Sequence, residues 1–403
     1  MAEPASTASP EPAGDAAERA AWLGRNAVDV LPAGELARKL ALGRPLRVKL
    51  GIDPTASDIH LGFAVVLGKL REFQDLGHTV VLIIGDYTAR VGDPSGRSAT
   101  RPVLSAEEID ANAASFQAQA LKVLSSERLE VVRNSQWLDM SAQELFSLMR
   151  HATVAQLLER DDFAQRWAAR TPISVLELLY PLLQGYDSVA VRADVELGGS
   201  DQKFNLLLGR DIQRAYGQPE QTILTLPLLT GTDGTRKMSK SYGNYIGVTD
   251  PPAEMYGRTL SVPDSSLIDW YRLLLDAQPP AEHSPRDAKR ALARALVARF
   301  HDPPAAEAAE AEFDRVHVRH EAPTTVPEVE ISPAEESPEI NLPALLAEAF
   351  GVSTSEARRS LAQGGVRLDG EPLAPAPLNR PAAELDGRVL QLGKRRFARV
   401  RVR

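Results

Sequence analysis

The chain has 403 residues, a net charge of −8 and no cysteine. That length admits two or three domains around a substantial core. The missing cysteines exclude disulfides, thiolate-zinc sites and a cysteine nucleophile, which fits a cytoplasmic enzyme, and the acidic balance by itself argues against a nucleic-acid binder. There is no apolar run of membrane-spanning length and no secretory signal pattern. The seven histidines are scattered without metal-ligand spacing, so no protein-bound metal is expected.

The first 20 residues are rich in Ala, Pro, Glu and Ser, and residues 1–30 read as a disordered tail. From Val30 to Gly243 the pattern is α/β. Apolar strand-like runs occur at Arg47 to Ile52, Thr79 to Ile84, Leu129 to Val132, Val189 to Val195 and Thr222 to Thr225, with helical patterns between them. Such runs predict a doubly wound parallel sheet with its ligand crevice at the carboxyl ends of the strands. The catalytic domain is expected over residues 31–250, with a mostly helical insertion at about 105–187. A helical domain follows at 251–320. Glu321 to Glu339 has six acidic residues, four prolines and no basic one, and reads as a solvated linker over 321–340. Residues 341–403 form a last small α+β domain with 11 Lys plus Arg against 6 Asp plus Glu, a net of +5 that leaves −13 for the rest.

Five stretches can carry chemistry. Gly51 to Phe63 is a strand, a polar turn and a helix start, which places His60 and Gly62 at a helix N-terminus suited to phosphate. Gly85 to Arg97 is a turn that offers Asp93 to an ammonium group, with Arg97 and Arg101 beyond it within reach of a polyphosphate. Tyr180, Gln184 and Asp187 share one helix face, and polar groups on a buried face need partners that a polar ligand supplies. Glu196-Leu197-Gly198-Gly199-Ser200-Asp201-Gln202 ends the Val189 to Val195 run, and its double glycine followed by Asp suits close backbone approach, with a carboxylate for ribose hydroxyls. Finally Lys237-Met238-Ser239-Lys240-Ser241 follows a flexible Thr230 to Gly234 and could clamp a leaving pyrophosphate. Each piece alone is also ordinary turn or surface chemistry.

Taken together, His60-Leu61-Gly62-Phe63 resembles the first signature of the class I aminoacyl-tRNA synthetases, and Lys237 to Ser241 matches the second letter for letter. Their order, with the Tyr180/Gln184/Asp187 face between them, resembles the bacterial tyrosyl-tRNA synthetases from about Leu31 to the end. The resemblance implies a Rossmann-like catalytic domain, a helical domain and a small RNA-binding domain, acting on L-tyrosine, ATP with Mg2+ and tRNA(Tyr) as a homodimer joined through the inserted helices. It implies that Asp187 accepts a hydrogen bond from the substrate phenol, and that Tyr180, Gln184, Gln202 and Asp93 hold its ammonium and carboxylate. Gly51, Asp53, Gly62, Gly199 and Asp201 would line the ATP side. His60 and Thr55 would stabilise the reacting phosphate, with Arg97, Arg101, Lys237 and Lys240 over the pyrophosphate. Arg358, Arg359, Lys394, Arg395 and Arg396 would neutralise RNA phosphates.

Two positions depart from the family pattern. Phe63 replaces the second signature histidine, and Lys49 stands where many relatives carry a phenol-contacting tyrosine. A paralogue for another aromatic acid and a non-catalytic RNA-binding relative are the two other readings. The Tyr180/Gln184/Asp187 set speaks against the first and the intact Lys237 to Ser241 loop against the second.

Overall fold

The computed structural model describes residues 14–55, 58–94, 105–319, 321–324, 326–332, 338–393 and 396–403. The chain divides into two compact units, Met1–Asp302 and Pro303–Arg403.

In the first unit, six strands form one sheet: β1 Asp29–Leu31, β2 Arg47–Ile52, β3 Thr79–Ile84, β4 Leu129–Arg133, β5 Val195–Gly199 and β6 Thr222–Leu226. Their spatial order is β1-β6-β5-β2-β3-β4. The β2–β3, β3–β4, β2–β5 and β5–β6 pairs are parallel, while β1 adds an antiparallel edge that the sequence pattern did not predict. The near-continuous apolar runs are explained by burial on both faces: five of six residues of β3 and all of β6 are buried. The Rossmann-like α/β expectation therefore holds for this unit.

Three boundaries differ from expectation. Val189 to Val195 is not a strand: the Val175–Ala190 helix runs through its start, Arg192 turns the chain at φ 52°, and the strand begins at Val195. Within the expected tail, Ala16–Gly24 is a helix. Asp15 caps it by accepting from Ala17 and Glu18 N–H, and Leu23 is fully buried. The helices Pro252–Leu260, Leu267–Leu275 and Pro285–Phe300 belong to the first unit, whereas Pro303–Phe313 belongs to the second.

The second unit holds β7 Glu328–Ile331, β8 Glu339–Asn341, β9 Val366–Leu368, β10 Glu371–Pro372, β11 Asn379–Pro381, β12 Val389–Leu392 and β13 Arg396–Val402. Five of them make a sheet in the order β10-β9-β12-β13-β7, and β11 pairs with β8. The Leu342–Phe350 and Thr354–Ala362 helices supply Leu345, Leu346, Ala357 and Leu361 to its core. The predicted linker is thus partly a strand. Val329 and Ile331 pack on that core, and Glu328 pairs with Arg401 at 2.9 Å and Glu330 with Arg403. Acidic residues that looked like solvated linker neutralise a basic neighbouring strand. The whole unit carries 13 Lys plus Arg and 16 Asp plus Glu, a net of −3, so its basic character is confined to residues 341–403.

Candidate active site

The strand order reverses beside β2, with β3 and β4 on one side and β5 and β6 on the other. Loops leaving the carboxyl ends of β2 and β5 therefore flank one crevice. Gly51 lies in β2 with nothing within 4 Å of where a Cβ would stand, so a ligand can approach its backbone.

His60 caps the Leu61–Asp75 helix, and its Nδ1 accepts from Gly62 N–H at 3.2 Å. The ring proton is then on Nε2. A Cβ on Gly62 would fall 2.9 Å from the ring's Cε1, so glycine is what lets the imidazole fold back over the helix end. Burial, and secondarily the charge of Lys237, pull the His60 pKa down to about 4. The ring is a neutral donor at physiological pH. Phe63 stacks 4.8 Å from it and meets Phe116 edge-on at 5.5 Å, so the residue that departs from the signature is a packing residue. Thr55 is half-buried on the same loop, its N–H donating to Asp53 O at 2.8 Å.

His60 also bridges Gly247 antiparallel, flanked by Leu61 N to Ile246 O and Val248 N to Ile59 O at 2.9 Å each. This seam sets the segment after Lys237–Ser241 against the His60 corner. Asn244 holds the turn between them: its Oδ1 accepts from Ser239 N–H at 2.9 Å, and its Nδ2 donates to Lys237 O at 3.2 Å. Lys237 Nζ lies 2.7 Å from Asp201 Oδ2, and Lys240 Nζ lies 2.7 Å from Asp58 Oδ2. Gly199 closes β5, where a Cβ would come within 2.7 Å of Asp201 Oδ1.

The predicted face of the Val175–Ala190 helix lines the other half of the crevice, with Tyr180 and Asp187 buried and Gln184 half-buried. Tyr180 donates to Asp53 Oδ2 at 2.9 Å, and Thr88 Oγ1 donates to Asp53 Oδ1 at 2.6 Å. Asn134 Nδ2 donates to Thr88 Oγ1 at 2.9 Å and to Asp187 Oδ2 at 3.4 Å, and Trp137 Nε1 donates to Asp187 Oδ1 at 2.8 Å. Desolvation, helped by the nearby Asp93 and Asp187 charges, raises Asp53 to about 7, and desolvation raises Asp187 to about 6. Gln202 Nε2 donates to Asp93 Oδ2 at 2.9 Å, and Asn205 Nδ2 reaches Gln184 Oε1 at 2.9 Å and Gln202 Oε1 at 3.1 Å. Asp93 also lies 3.7 Å from the Arg160 guanidinium.

Gln184 in turn donates to Glu196 Oε1 at 3.3 Å, and Lys49 Nζ lies 2.8 Å from that same oxygen. Lys49 also donates to Gln184 O at 3.0 Å and Ser188 Oγ at 2.8 Å. Lys49 is therefore a buried brace beneath the Gln184 face.

Two linked clusters result. Asp53 and Asp93 make a carboxylate pair suited to an ammonium group, with Asp187 on the Tyr180 and Gln184 face as a buried hydrogen-bond acceptor. His60, Lys237 and Lys240 make a corner suited to phosphates. Sequence reasoning missed Asn134, Trp137, Arg160, Asn205 and Asn244, and gave Glu196 no role within its stretch. Asn134 and Trp137 follow the carboxyl end of β4, a position the strand pattern already marked; Arg160 sits in the helical insertion with no local signal. Arg97, Arg101, Lys394 and Arg395 lie outside the described residues. Arg358, Arg359 and Arg396 are exposed on the second unit. Among the described residues, no group of three His, Cys, Asp or Glu side chains could hold a metal ion.

A family model described as tRNA synthetases class I (W and Y) matches residues 41–317. The tyrosine–tRNA ligase of Moorella thermoacetica is 49% identical over 396 residues, 94% of this chain and 94% of its own. That of Thermotoga maritima is 49% identical, covering 95% of this chain and 97% of its own. The fold is shared with the tyrosyl-tRNA synthetase of Archaeoglobus fulgidus, solved with L-tyrosine, at a TM-score of 0.61 and 23% identity over 73% of this chain and 99% of that one. That of Aeropyrum pernix gives a TM-score of 0.59 at 21% identity, covering 74% of this chain and 99% of that one.

Proposed function

We propose, from the premise that the chain belongs to the class I tRNA synthetases (W and Y), that it is a tyrosine–tRNA ligase. It activates L-tyrosine with ATP and transfers the tyrosyl group to tRNA(Tyr). The observation that carries this is 49% identity to tyrosine–tRNA ligases across 94% of the chain, and the site chemistry agrees with it.

In the first step a tyrosine carboxylate oxygen attacks the α-phosphorus of ATP and the bond to the β-phosphate breaks, giving tyrosyl-adenylate and pyrophosphate. In the second, a hydroxyl of the terminal tRNA adenosine attacks the acyl carbon and AMP leaves. Neither step needs a protein nucleophile, so the chain supplies position and charge. Asp187 reads the phenol, with two of its acceptor sites filled by Trp137 and Asn134 and the rest available. Asp53 and Asp93 attract the ammonium, Gln184 and Gln202 orient it, and neutral His60 donates from Nε2 to the phosphate. Lys237 and Lys240 exchange Asp201 and Asp58 for pyrophosphate oxygens, which frees Asp201 for the ribose. Arg97 and Arg101 act with them. Mg2+, when bound with the triphosphate, would supply charge neutralisation at the phosphate oxygens alongside Lys237 and Lys240.

Among the described residues, six of the fourteen exposed large apolar side chains fall between Phe146 and Leu176, among them Trp167 at 67% and Val175 at 72% exposure. This supports a homodimer joined through the inserted helices. Arg358, Arg359, Lys394, Arg395 and Arg396 are assigned to tRNA backbone contacts. No described helix is long and apolar enough to cross a membrane; a cysteine-free chain acting on tRNA supports a cytoplasmic reading.

Pyrophosphate exchange measured across the aromatic amino acids tests the reading. Exchange driven by tyrosine is expected, and exchange driven by tryptophan but not tyrosine would overturn it.

A further inference from the structure

A cavity of about 50 Å³ lies away from the crevice, between the Leu61–Asp75, Leu267–Leu275 and Pro285–Phe300 helices. It is several times larger than the roughly 15 Å³ that one water needs. Five cationic side chains line it, Lys69, Arg71, Lys122, Arg272 and Arg299, against the two carboxylates of Glu72 and Asp276.

The carboxylates are already taken. Arg25 holds Glu72 at 2.9 and 3.1 Å and Asp276 at 2.9 Å, and Lys69 adds a contact to Glu72 at 2.6 Å. Arg71 and Arg272 pair with Asp75 and Asp269 along their own helices. Arg299 and Lys122 donate to backbone carbonyls, of Leu274 and, at 2.7 Å, of Phe300, and the Arg299 guanidinium also lies over the Phe300 ring at 5.3 Å. These carbonyls belong to the last turns of two helices, so each cation is offset by only part of a helix dipole. Neither cation has a carboxylate within ion-pair distance among the described residues. Burial lowers the Arg299 pKa to about 10, which still leaves it charged at neutral pH.

The backbone has also kept this space open. Gly68 sits in the middle of the Leu61–Asp75 helix, where glycine is unfavourable relative to alanine. A Cβ there would meet only Arg299 Nη2, at 3.6 Å. No close packing demands glycine at this position; its effect is to leave room beside the guanidinium.

We propose that this cavity is a second anion site, built for one phosphoryl group, either free phosphate or the terminal phosphate of a small phosphomonoester, held by Arg299 and Lys122. Its occupant ties the helix that carries His60 and Gly62 to the two helices behind it. The site is independent of the reaction assigned to the crevice.

Titration of the full chain with inorganic phosphate, with methyl phosphate and with dimethyl phosphate, at constant ionic strength set by chloride, tests it by 31P line broadening and thermal shift. Binding of the first two and not of the diester is expected, with Tm rising by a few degrees. Binding of phosphate alone would mark a free-phosphate site, and binding of methyl phosphate as well a phosphomonoester site. Lys122→Met with Arg299→Met should weaken binding roughly tenfold or more. Gly68→Leu, which keeps both cations and fills the space, should do the same and decides the matter if the double variant does not fold. Phosphate binding that survives Gly68→Leu but is lost in Lys237→Ala would place the anion in the crevice and overturn the proposal. So would phosphate binding no tighter than chloride.

Discussion

The Lys49 ammonium lies 2.8 Å from the Glu196 carboxylate, with the two side chains 0% and 2% exposed. The pair is closed by further partners: Ser188 Oγ and Gln184 O accept from Lys49, and Ser188 and Gln221 donate to Glu196. A buried pair gives little net stability over an apolar substitute, but removing one partner strands a charge. Lys49→Met and Glu196→Leu should each cost about 3–5 kcal/mol in chemical denaturation. The double variant should be closer to wild type than either. It should still show a raised KM for tyrosine with little change in kcat, because Gln184 loses the oxygen that orients its amide. A double variant with wild-type KM would show that the pair braces the fold and not the ligand.

Trp137 holds Asp187 through a single 2.8 Å hydrogen bond. A hydrogen bond to a charged group contributes about 1.5–3 kcal/mol. Trp137→Phe keeps the ring and removes the donor, so kcat/KM for tyrosine should fall about 10–100-fold. Discrimination against phenylalanine should also narrow, because a loosely held carboxylate reads the phenol less well. Rejection of an analogue that leaves a buried polar group unpaired is a strong effect for which tyrosyl-tRNA synthetases are themselves the standard worked case. Steady-state kinetics with both amino acids check this; an unchanged ratio would remove Trp137 from the readout.

His60 is held neutral by burial, with its pKa near 4. Its role therefore needs no protonation change, and the pH profile of adenylate formation should show no inflection from this residue between pH 5 and 9. His60→Gln, which keeps an N–H donor, should retain more activity than His60→Ala. If His60→Ala abolished an inflection near neutrality, the imidazolium would be the working form.

Much of this arrangement was legible in the residues. The Thr79 to Ile84 run declared itself because a strand buried on both faces is almost wholly apolar, the Arg47 to Ile52 run because it is apolar-rich despite its two cations, and Tyr180, Gln184 and Asp187 stood out as polar groups on a face that had to be buried. Pairings across distant elements were not legible. Lys49 interrupts an otherwise apolar-rich strand, and only the fold brings Glu196 beside it. The acidic stretch at Glu328 to Ile331 was misread because composition was weighed over alternation: its apolar residues at every second position mark a half-buried strand. The helix at Ala16–Gly24 was masked by an Ala-rich composition that suits a tail and a helix equally.

Lys240 meets Asp58 at 2.7 Å on a half-exposed surface, an ion pair that salt and ligand can open easily. Its assigned task, stabilising charge on the departing pyrophosphate, is realised only in the transition state. Lys240→Ala should therefore lower the rate of adenylate formation about 10²–10³-fold while leaving tyrosine binding unchanged. Single-turnover measurements separate the two. An unchanged rate would show that the loop does not reach the phosphates.

Asp53 is the group whose titration should be most visible. Desolvation raises its pKa from 3.8 to about 7, with the neighbouring Asp93 and Asp187 adding to the shift and the Thr88 and Tyr180 hydrogen bonds opposing it. The folded apo enzyme therefore keeps a proton that the unfolded chain has already released. Stability from this group is fully present below the unfolded value near 4 and is lost as pH rises through about 7. Asp53→Asn should remove that loss, so the variant should be more stable than wild type at pH 8 and show a flatter stability profile between pH 4 and 7. Binding should move the opposite way. An ammonium favours the ionised carboxylate, so wild-type affinity for tyrosine should weaken as pH falls below about 7, and Asp53→Asn should bind more weakly at pH 8 with much of that dependence gone. Calorimetric titrations of tyrosine at several pH values, paired with denaturation curves, measure both effects. A variant that is less stable at pH 8 yet binds tyrosine normally would show that Asp53 is a structural acceptor for Thr88 and Tyr180 and not part of the ammonium pocket.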